Sequence, residues 1–175
     1  MHIHVAVNRL HRWGAKHSDT VANRMHKIIE QKLKPIEGRP VWAVGRAARM
    51  LWIQIGDRHT VNAWGGGTKE VGTFALHVDC PWSWTQFEEV IADHDSGLEH
   101  LYKLLAMPVI CQTISAEDNG SFNLKFHNGS ALVVSADADA DANANVNEDE
   151  TEFWRFFMPS KDTSHFVVGS KGIQR

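Results

Sequence analysis

Apolar and polar residues alternate over much of the chain between residues 41 and 135, which is the period of half-buried β-strands. The clearest stretch is 74–79, where Phe, Leu and Val fall on one face and Ala, His77 and Asp79 fall on the other. Cys80-Pro81 ends this strand, because proline brings no N–H to a sheet ladder. Two tryptophans follow at once, and they predict that large aromatic surface closes the core beside this strand.

The same alternation predicts further strands, which cover residues 41–44, 51–55, 109–115, 122–126 and 131–135. Asn128-Gly129 joins the last two and is a strong hairpin signal. Gly65-Gly66-Gly67 predicts a flexible hairpin connection, since a phosphate-binding loop needs a Lys-Ser/Thr pair and a following helix. Residues 85–92 leave two alternatives open: a helix that starts with a capping box at Thr85, or a strand from Phe87 to Ala92.

Residues 18–34 change to the helical period. Ser18 or Asp19 can cap the start of a helix here, and Lys34 and Pro35 suit its end. The apolar side chains of this helix form one stripe: Val21, Met25, Ile28, Ile29 and Leu33. We expect the stripe to pack on the β-rich body or on a second subunit. Leucines between residues 98 and 105 predict a second, shorter helix.

Two parts of the chain resemble each other. Residues 51–56 followed by 74–78 parallel 122–129 followed by 130–134, and each returning strand contains Ala-Leu-x-Val. Trp82 and Trp84 follow the first pair of strands, and Trp154 follows the second. A lone hairpin cannot bury its apolar face, so a duplicated meander that shares one sheet or barrel is the economical interpretation.

These patterns predict an α+β fold: a mostly antiparallel β meander or barrel-like domain made of two similar halves, preceded by an N-terminal amphipathic helix. The expected division is a basic arm and helix over residues 1–35, then a duplicated β-rich domain over 36–175. An acidic loop over 136–151 interrupts the second part.

Composition adds a charge asymmetry to this picture. The net charge is −3, and 43% of the 175 residues are hydrophobic, enough for one packed domain. Residues 1–34 carry seven Lys and Arg against two acids, which leaves the remainder strongly acidic. The acidic body suits a basic protein partner. A nucleic-acid partner is disfavoured, because no binding motif accompanies the basic arm.

Localisation follows from other absences in the sequence. No run of about 18 apolar residues predicts a membrane span, and the His- and Arg-containing N-terminus lacks the apolar centre of a signal peptide. Cys80 and Cys111 are too few for a disulfide framework. We therefore expect a cytoplasmic protein with reduced thiols, no membrane contact and no cofactor.

The acidic loop can be compared with a calcium-binding EF-hand loop. Its oxygen-bearing residues fall at alternate positions: Asp139, Asp141, Asn143, Asn145, Asn147 and finally Glu150. Ala144 stands where the tight turn needs glycine, and neither flank has the pattern of an EF-hand helix. The loop is therefore predicted to be a solvated connection, with these residues as weak candidates for a metal site.

A second set of candidate ligands or catalytic groups surrounds the strand at 74–79. His77 and Asp79 share a face, with His94 and Asp95 downstream, but this spacing is not specific for zinc. A histidine bonded to a neighbouring carboxylate is the more usual outcome. Cys80 as a nucleophile would need a base on its own side, whereas alternation places His77 opposite. Burial of Cys80 and Cys111 is therefore predicted.

The chain from about residue 38 to 170 resembles a group of small bacterial domains of unknown function. Three segments carry the likeness: residues 74–82, the hairpin 122–134, and the tail 152–159 with 165–168. The group has an Ala-Leu-His-Val-x-Cys-Pro-Trp-like strand, an Asp-Gly hairpin, which is Asn128-Gly129 here, and a terminal Trp-Arg-x-Phe segment. The resemblance implies one coherent fold and no chemistry. By analogy, some such domains resemble immunity proteins that neutralise a toxin.

The sequence therefore favours a non-catalytic protein-binding module, immunity-like in character, that binds a basic partner. The alternative is a small metal- or thiol-dependent enzyme that uses His77, Asp79 and Cys80. A homodimer through the N-terminal helix is a further expectation. Both function hypotheses involve one candidate cluster: His77, Asp79, Cys80, Trp82, Trp84, Trp154 and Arg155.

Overall fold

The computed structural model describes residues 25–136, 151–161 and 164–174. The first half of this part contains helix α1 (Met25–Leu33), a 3-10 turn (Lys34–Ile36), β1 (Pro40–Ala47), β2 (Met50–Asn62), β3 (Thr68–Val78), β4 (Trp82–Gln86) and β5 (Glu89–Asp93). The second half contains α2 (Glu99–Leu104), β6 (Val109–Ala116), β7 (Phe122–Phe126), β8 (Ser130–Val134), β9 (Glu152–Phe157), β10 (Phe166–Gly169) and β11 (Gly172–Gln174). Neither of these helices is long and apolar enough to cross a membrane.

The described strands form one continuous order, β11-β10-β9-β3-β2-β1-β6-β7-β8-β4-β5, with antiparallel neighbours. β1 and β6 share just two residue pairs, so the order divides there into a first sheet (β11 to β1) and a second sheet (β6 to β5). The prediction of a mostly antiparallel β fold with an N-terminal helix is confirmed. The order has two ends, at β11 and β5, and the barrel-like closure is not confirmed.

The two sheets exchange hairpins. β4 follows β3 along the chain but pairs with β8, whereas β9 follows β8 but pairs with β3. Outward from β1 the order is β2, β3, β9 and β10, and outward from β6 it is β7, β8, β4 and β5. Each half is thus two consecutive strands followed by a hairpin from the other half of the chain. Among the described strands, β11 alone has no counterpart. The helices follow this correspondence in part: α1 precedes β1 and packs on β6, whereas α2 precedes β6 and packs on both β1 and β5. This is a correspondence of topology, and common origin by duplication remains a prediction.

Inward side chains of both sheets meet in one core. Trp84 of β4 stacks on Phe126 of β7 with ring centroids 4.9 Å apart. Trp154 of β9 meets Phe122 of β7 edge to face, also at 4.9 Å. Aromatic pairs of this kind stabilise a core beyond their area of burial. The predicted aromatic closure is thus confirmed, with each tryptophan packing on the second sheet.

The Cys80-Pro81 signal marks the point where the chain crosses from one sheet to the other. The backbone N–H groups of Asp79 and Cys80 both donate to the carbonyl oxygen of Phe153, at 2.8 and 3.1 Å. The carbonyl of Pro81 accepts from the N–H of Ser135 at 2.9 Å. Proline ends the ladder of β3, and these bonds satisfy the backbone groups at the corner.

Helix α1 covers one end of the core. Ile29 and Leu33 are fully buried, and Met25 packs partly against them. The expectation that Ile28 shares this face is wrong, since its side chain is 38% exposed. Among the described residues of α1, the apolar side chains that pack on the core are those of Met25, Ile29 and Leu33, so the stripe is narrower than predicted. The predicted start at Ser18, with Val21, lies outside the described residues.

Two further expectations are decided by the strands. Residues 85–92 contain no helix, and the strand alternative holds in part, since β5 begins at Glu89 rather than at Phe87. Phe87 and Glu88, with φ of 51° and 71°, form the two-residue turn between β4 and β5. Positive φ at both central residues is typical of the turn type that suits a hairpin. β2 does not end at Gly56 as predicted, but continues to Asn62 past an irregularity between Ile55 and Arg58.

Candidate functional site

The alternation along β3 separates the residues of the sequence-predicted cluster. His77 lies on the outer face of the first sheet, where it pairs across the strands with Arg155 of β9. Asp79 follows β3 and is exposed. Cys80, Trp82, Trp84 and Trp154 are buried in the core. The cluster is therefore two groups, one outward and one inward.

The inward group has the contacts of a structural core. The indole N–H of Trp154 donates to the carbonyl oxygen of Gly120 at 2.9 Å. The guanidinium of Arg46 lies 5.4 Å from the ring centre of Trp82 and donates to the carbonyl oxygen of Asp93 at 2.7 Å. These side chains hold strands of both sheets together and offer no surface to a ligand.

Neither cysteine is placed as a nucleophile. Cys80 is 5% exposed and Cys111 is fully buried, which confirms the predicted burial of both. Burial, aided by the nearby carboxylate of Glu37, raises the pKa of the Cys111 thiol to about 12. The thiolate is the reactive form of cysteine, so the Cys111 thiol is inert at neutral pH.

The outward group contains three side chains that the sequence analysis did not select: Glu152, Phe157 and His165. Arg155 donates from Nε and Nη2 to the two carboxylate oxygens of Glu152, a bidentate pair three residues apart in β9. Its Nη1 lies 3.5 Å from Nδ1 of His165. The Glu152 pairing raises the pKa of the Arg155 guanidinium. Residues three apart lie on opposite faces of a regular strand, so the spacing of Glu152 and Arg155 did not predict their pairing. The β9–β10 pairing has an irregularity next to Glu152, and the position of His165 also depends on that pairing.

His77 is held by aromatic contacts. Its ring meets Phe157 edge to face at 4.9 Å, and Phe157 stacks on His165 at 4.2 Å. Burial and the positive charge of Arg155 lower the pKa of His77 below its ordinary value. The imidazole is therefore neutral at pH 7, and in the described residues no hydrogen bond orients it as a catalytic base would require.

The outer face continues across β2 and β1 as a close-packed surface. Trp52 pairs with His77 on one side and with Gly45 on the other. A Cβ atom at Gly45 would come within 2.0 Å of the Trp52 ring. Glycine at this position therefore lets the indole lie flat over β1. The result is an aromatic and charged surface rather than an enclosed cavity.

The described residues contain no group of three His, Cys, Asp or Glu side chains that could hold a metal ion. His94 and Asp95 pair with each other at 3.2 Å. The loop candidates Asp139, Asp141, Asn143, Asn145 and Glu150 lie outside the described residues. In the described part, the outer face presents the neutral imidazole of His77 and the guanidinium of Arg155, which is paired with Glu152. Neither cysteine thiol lies beside them.

A second exposed feature is the β2–β3 hairpin. Beyond Arg58 its side chains are mostly exposed, and Arg58 braces it by donating to Glu70 at 3.0 Å and by stacking over Trp42 at 4.3 Å. The tip carries Trp64, whose side chain is fully exposed. The three glycines that follow have positive φ and lie between the paired strands β2 and β3, so the connection is a hairpin as predicted.

A third exposed feature combines acidic and apolar side chains at the end of the second sheet. Between Lys69 and Lys103 the sequence holds seven Asp and Glu residues and no Lys or Arg. Five of these acids lie on the β4–β5 hairpin and the segment that leads into α2: Glu88, Glu89, Asp93, Asp95 and Glu99. The large apolar side chains of Phe87, Val90 and Tyr102 are 75%, 58% and 54% exposed in the same region. We call these eight residues the acidic end.

Much of the negative charge outside the acidic end is carried by the acidic loop. Residues 137–150 carry six Asp and Glu and no Lys or Arg, and they lie outside the described residues. In the described part, acids and bases are equal in number. The acidic end is therefore a local feature of the described residues, which together carry no net charge.

A scan against protein-family models and searches of curated proteins and of solved structures found no match to this chain. The resemblance to small bacterial domains therefore stays a prediction.

Proposed function

We propose that this protein is a non-catalytic protein-binding module whose acidic end binds a basic protein partner. The observation that carries the proposal is the combination there of exposed Phe87, Val90 and Tyr102 with five carboxylates, in a stretch between Lys69 and Lys103 that holds no Lys or Arg. Apolar side chains supply the buried area of an interface, and a rim of one charge selects a partner of the opposite charge and speeds encounter.

Placement of the alternative enzyme's residues favours the binding function. Its three groups are His77, Asp79 and Cys80. His77 faces outward and Cys80 lies in the core, so the side chain that would supply the nucleophile cannot reach the one that would supply the base. An acid–base–nucleophile set requires these groups within hydrogen-bond reach.

The proposal extends to the kind of partner and to a homodimer. An immunity-like role would make the basic partner a toxin domain, which fits a surface that selects positive charge. A homodimer through α1 would use the face around Ile28, because Ile29 and Leu33 are already covered. A groove of about 510 Å³ beside Ile28 is lined by Lys32, Phe166 and Ile173 and gives that face some concavity.

The test compares two triple variants that each remove three negative charges. Glu88→Gln, Glu89→Gln and Glu99→Gln alter the acidic end, whereas Asp57→Asn, Glu70→Gln and Glu117→Gln alter exposed acids elsewhere. Candidate partners are purified products of neighbouring reading frames that carry net positive charge. Dissociation constants are measured by titration calorimetry at low and high salt.

We expect one such product to bind, with an affinity that falls as salt rises. The acidic-end triple should weaken binding roughly tenfold or more, and the control triple should leave it nearly unchanged. Equal weakening by both triples, or no effect of either, would contradict the assignment to the acidic end. Failure of every cationic product to bind would contradict a basic partner.

A further inference from the structure

The two ends of the strand order differ in whether the outer strand has a further pairing partner. β10 and β5 occupy corresponding positions, each outermost in the repeated order. The outer side of β10 is paired with β11 through three residue pairs: Val167↔Gln174, Val168↔Ile173 and Gly169↔Gly172. In the part of the chain that the structure describes, no strand covers β5 in the same way. An uncovered edge presents backbone groups that a further strand can pair with.

The turn between β4 and β5 determines which backbone N–H and C=O groups of β5 point away from β4. The pair Gln86↔Glu89 closes the two-residue turn, so the backbone groups of Glu89 point towards β4. The next pair is Thr85↔Val90, and in an antiparallel ladder such pairs alternate in direction. The N–H and C=O of Val90 therefore point away from β4, towards the open side.

Backbone groups of Ile91 and Asp93, in the second half of β5, already have partners within the chain. The carbonyl oxygen of Ile91 lies 3.3 Å from Nδ1 of His100 in α2. The N–H of Asp93 donates to the hydroxyl of Ser96 at 2.7 Å, and the carbonyl of Asp93 accepts from Arg46. The part of β5 that is left open is therefore Glu89 and Val90, next to the turn residue Glu88.

The side chains at this edge indicate the chemistry of a strand that could pair with it. Val90 and Phe87 offer exposed apolar surface, and Glu88 and Glu89 are both exposed carboxylates. A second copy of the chain pairing here edge to edge would bring like charges together, which is unfavourable. An extended segment with Lys or Arg between apolar residues would pair its charges with the two glutamates instead.

We infer that the edge of β5 at Glu89–Val90, beside the turn residue Glu88, is a docking site for a basic, extended segment of a protein partner. The segment adds as a strand to the second sheet, in the position that β11 holds on the first. Main-chain hydrogen bonds to Val90 supply part of the affinity, and the carboxylates supply the selectivity. The inference takes the charge of the partner from the proposed function and adds the mode of binding.

The probe is a blocked synthetic peptide, Lys-Val-Lys-Val-Lys-Val, added to the full chain, and its control is the peptide with Glu in place of Lys. Val90→Pro removes the outward N–H and leaves the ladder to β4, because proline is tolerated on an edge strand where the N–H faces solvent. Val90→Thr is the matched variant that keeps the N–H and the branched side chain. Binding is followed by fluorescence anisotropy of the labelled peptide.

We expect the Lys peptide to bind and the Glu peptide not to bind. Val90→Pro should weaken binding several-fold to roughly tenfold, the effect of losing about one hydrogen bond, whereas Val90→Thr should change it little. Hydrogen exchange of the Val90 amide in the unaltered protein should slow when the Lys peptide is added. That measurement keeps the test decisive if Val90→Pro does not fold.

The outcomes separate the two ideas. Binding of the Lys peptide without protection of the Val90 amide would overturn strand addition and leave the acidic end as a binding surface. No binding of the Lys peptide would overturn strand addition as well, while the proposed function is judged by the cationic neighbouring products. Equal binding of the Lys and Glu peptides would overturn charge selection at this edge and count against both.

Discussion

The indole N–H of Trp154 donates to the carbonyl oxygen of Gly120 at 2.9 Å, and this bond joins β9 of the first sheet to the turn before β7 of the second. Gly120 adopts a φ of 96°, in the left-handed region that glycine tolerates best. A Cβ at this position would come within 2.8 Å of the Val168 side chain. The bond and the glycine together let a large aromatic side chain close the core where the sheets meet.

Truncation of this tryptophan should therefore be costly. Trp154→Ala removes a fully buried side chain and should lower the free energy of unfolding by about 3–5 kcal/mol, a large part of the 5–15 kcal/mol typical of a domain. Trp64→Ala is the matched control, because the Trp64 side chain is fully exposed and should cost roughly 0.5 kcal/mol or less. Urea unfolding followed by circular dichroism measures both. Similar losses for the two variants would contradict the placement of one of these side chains.

The two neighbouring isoleucines of α1 should differ sharply. Ile29→Asp places a carboxylate in the core without a partner and should unfold the protein or cost several kcal/mol. Ile28→Asp changes a side chain that is 38% exposed, and its effect on the melting temperature should be much smaller than that of Ile29→Asp. Sedimentation of Ile28→Asp also tests the homodimer. A loss of mass would support a dimer through this face, and an unchanged monomer would remove the case for it.

The thiols should resist modification in the native state. Cys80 and Cys111 are both buried, and the pKa of about 12 for Cys111 leaves almost none of its thiol ionised at pH 7. Titration with an aromatic disulfide reagent should therefore show slow reaction of the native protein and rapid reaction of both thiols in urea. Fast reaction of Cys80 at neutral pH in the folded protein would reopen the enzyme alternative.

His77 should contribute a pH dependence of known sign. Its pKa in the folded state lies below the ordinary 6.5, mainly because burial disfavours the charged ring. The unfolded chain then binds the proton more readily, so the free energy of unfolding falls as pH drops through 6.5 towards the folded pKa. His77→Gln should flatten this part of the stability–pH curve. Titration of the His77 ring resonance would contradict the assignment if its midpoint lay at or above 6.5.

Local sequence determined the types of the elements and several of their ends. Alternation of apolar residues predicted the strands. Two dipeptides also predicted where strands end: Cys80-Pro81 follows the end of β3, and Asn128-Gly129 lies in the turn from β7 to β8. Alternation alone also placed His77 and Cys80 on opposite sides of the chain. These features depend on φ restriction, missing N–H groups and side-chain direction over a few residues, which a sequence carries directly.

Pairing partners were decided by the tertiary structure. Alternation within β9 cannot indicate that Arg155 meets His77, since the two strands are joined through the second sheet and the long segment that follows it. The same holds for the open edge of β5, which exists because β4 pairs with β8 and no described strand pairs beyond β5. Long-range pairing depends on the packing of the whole core and on the entropy of closing long loops, and neither leaves a periodic trace in the sequence.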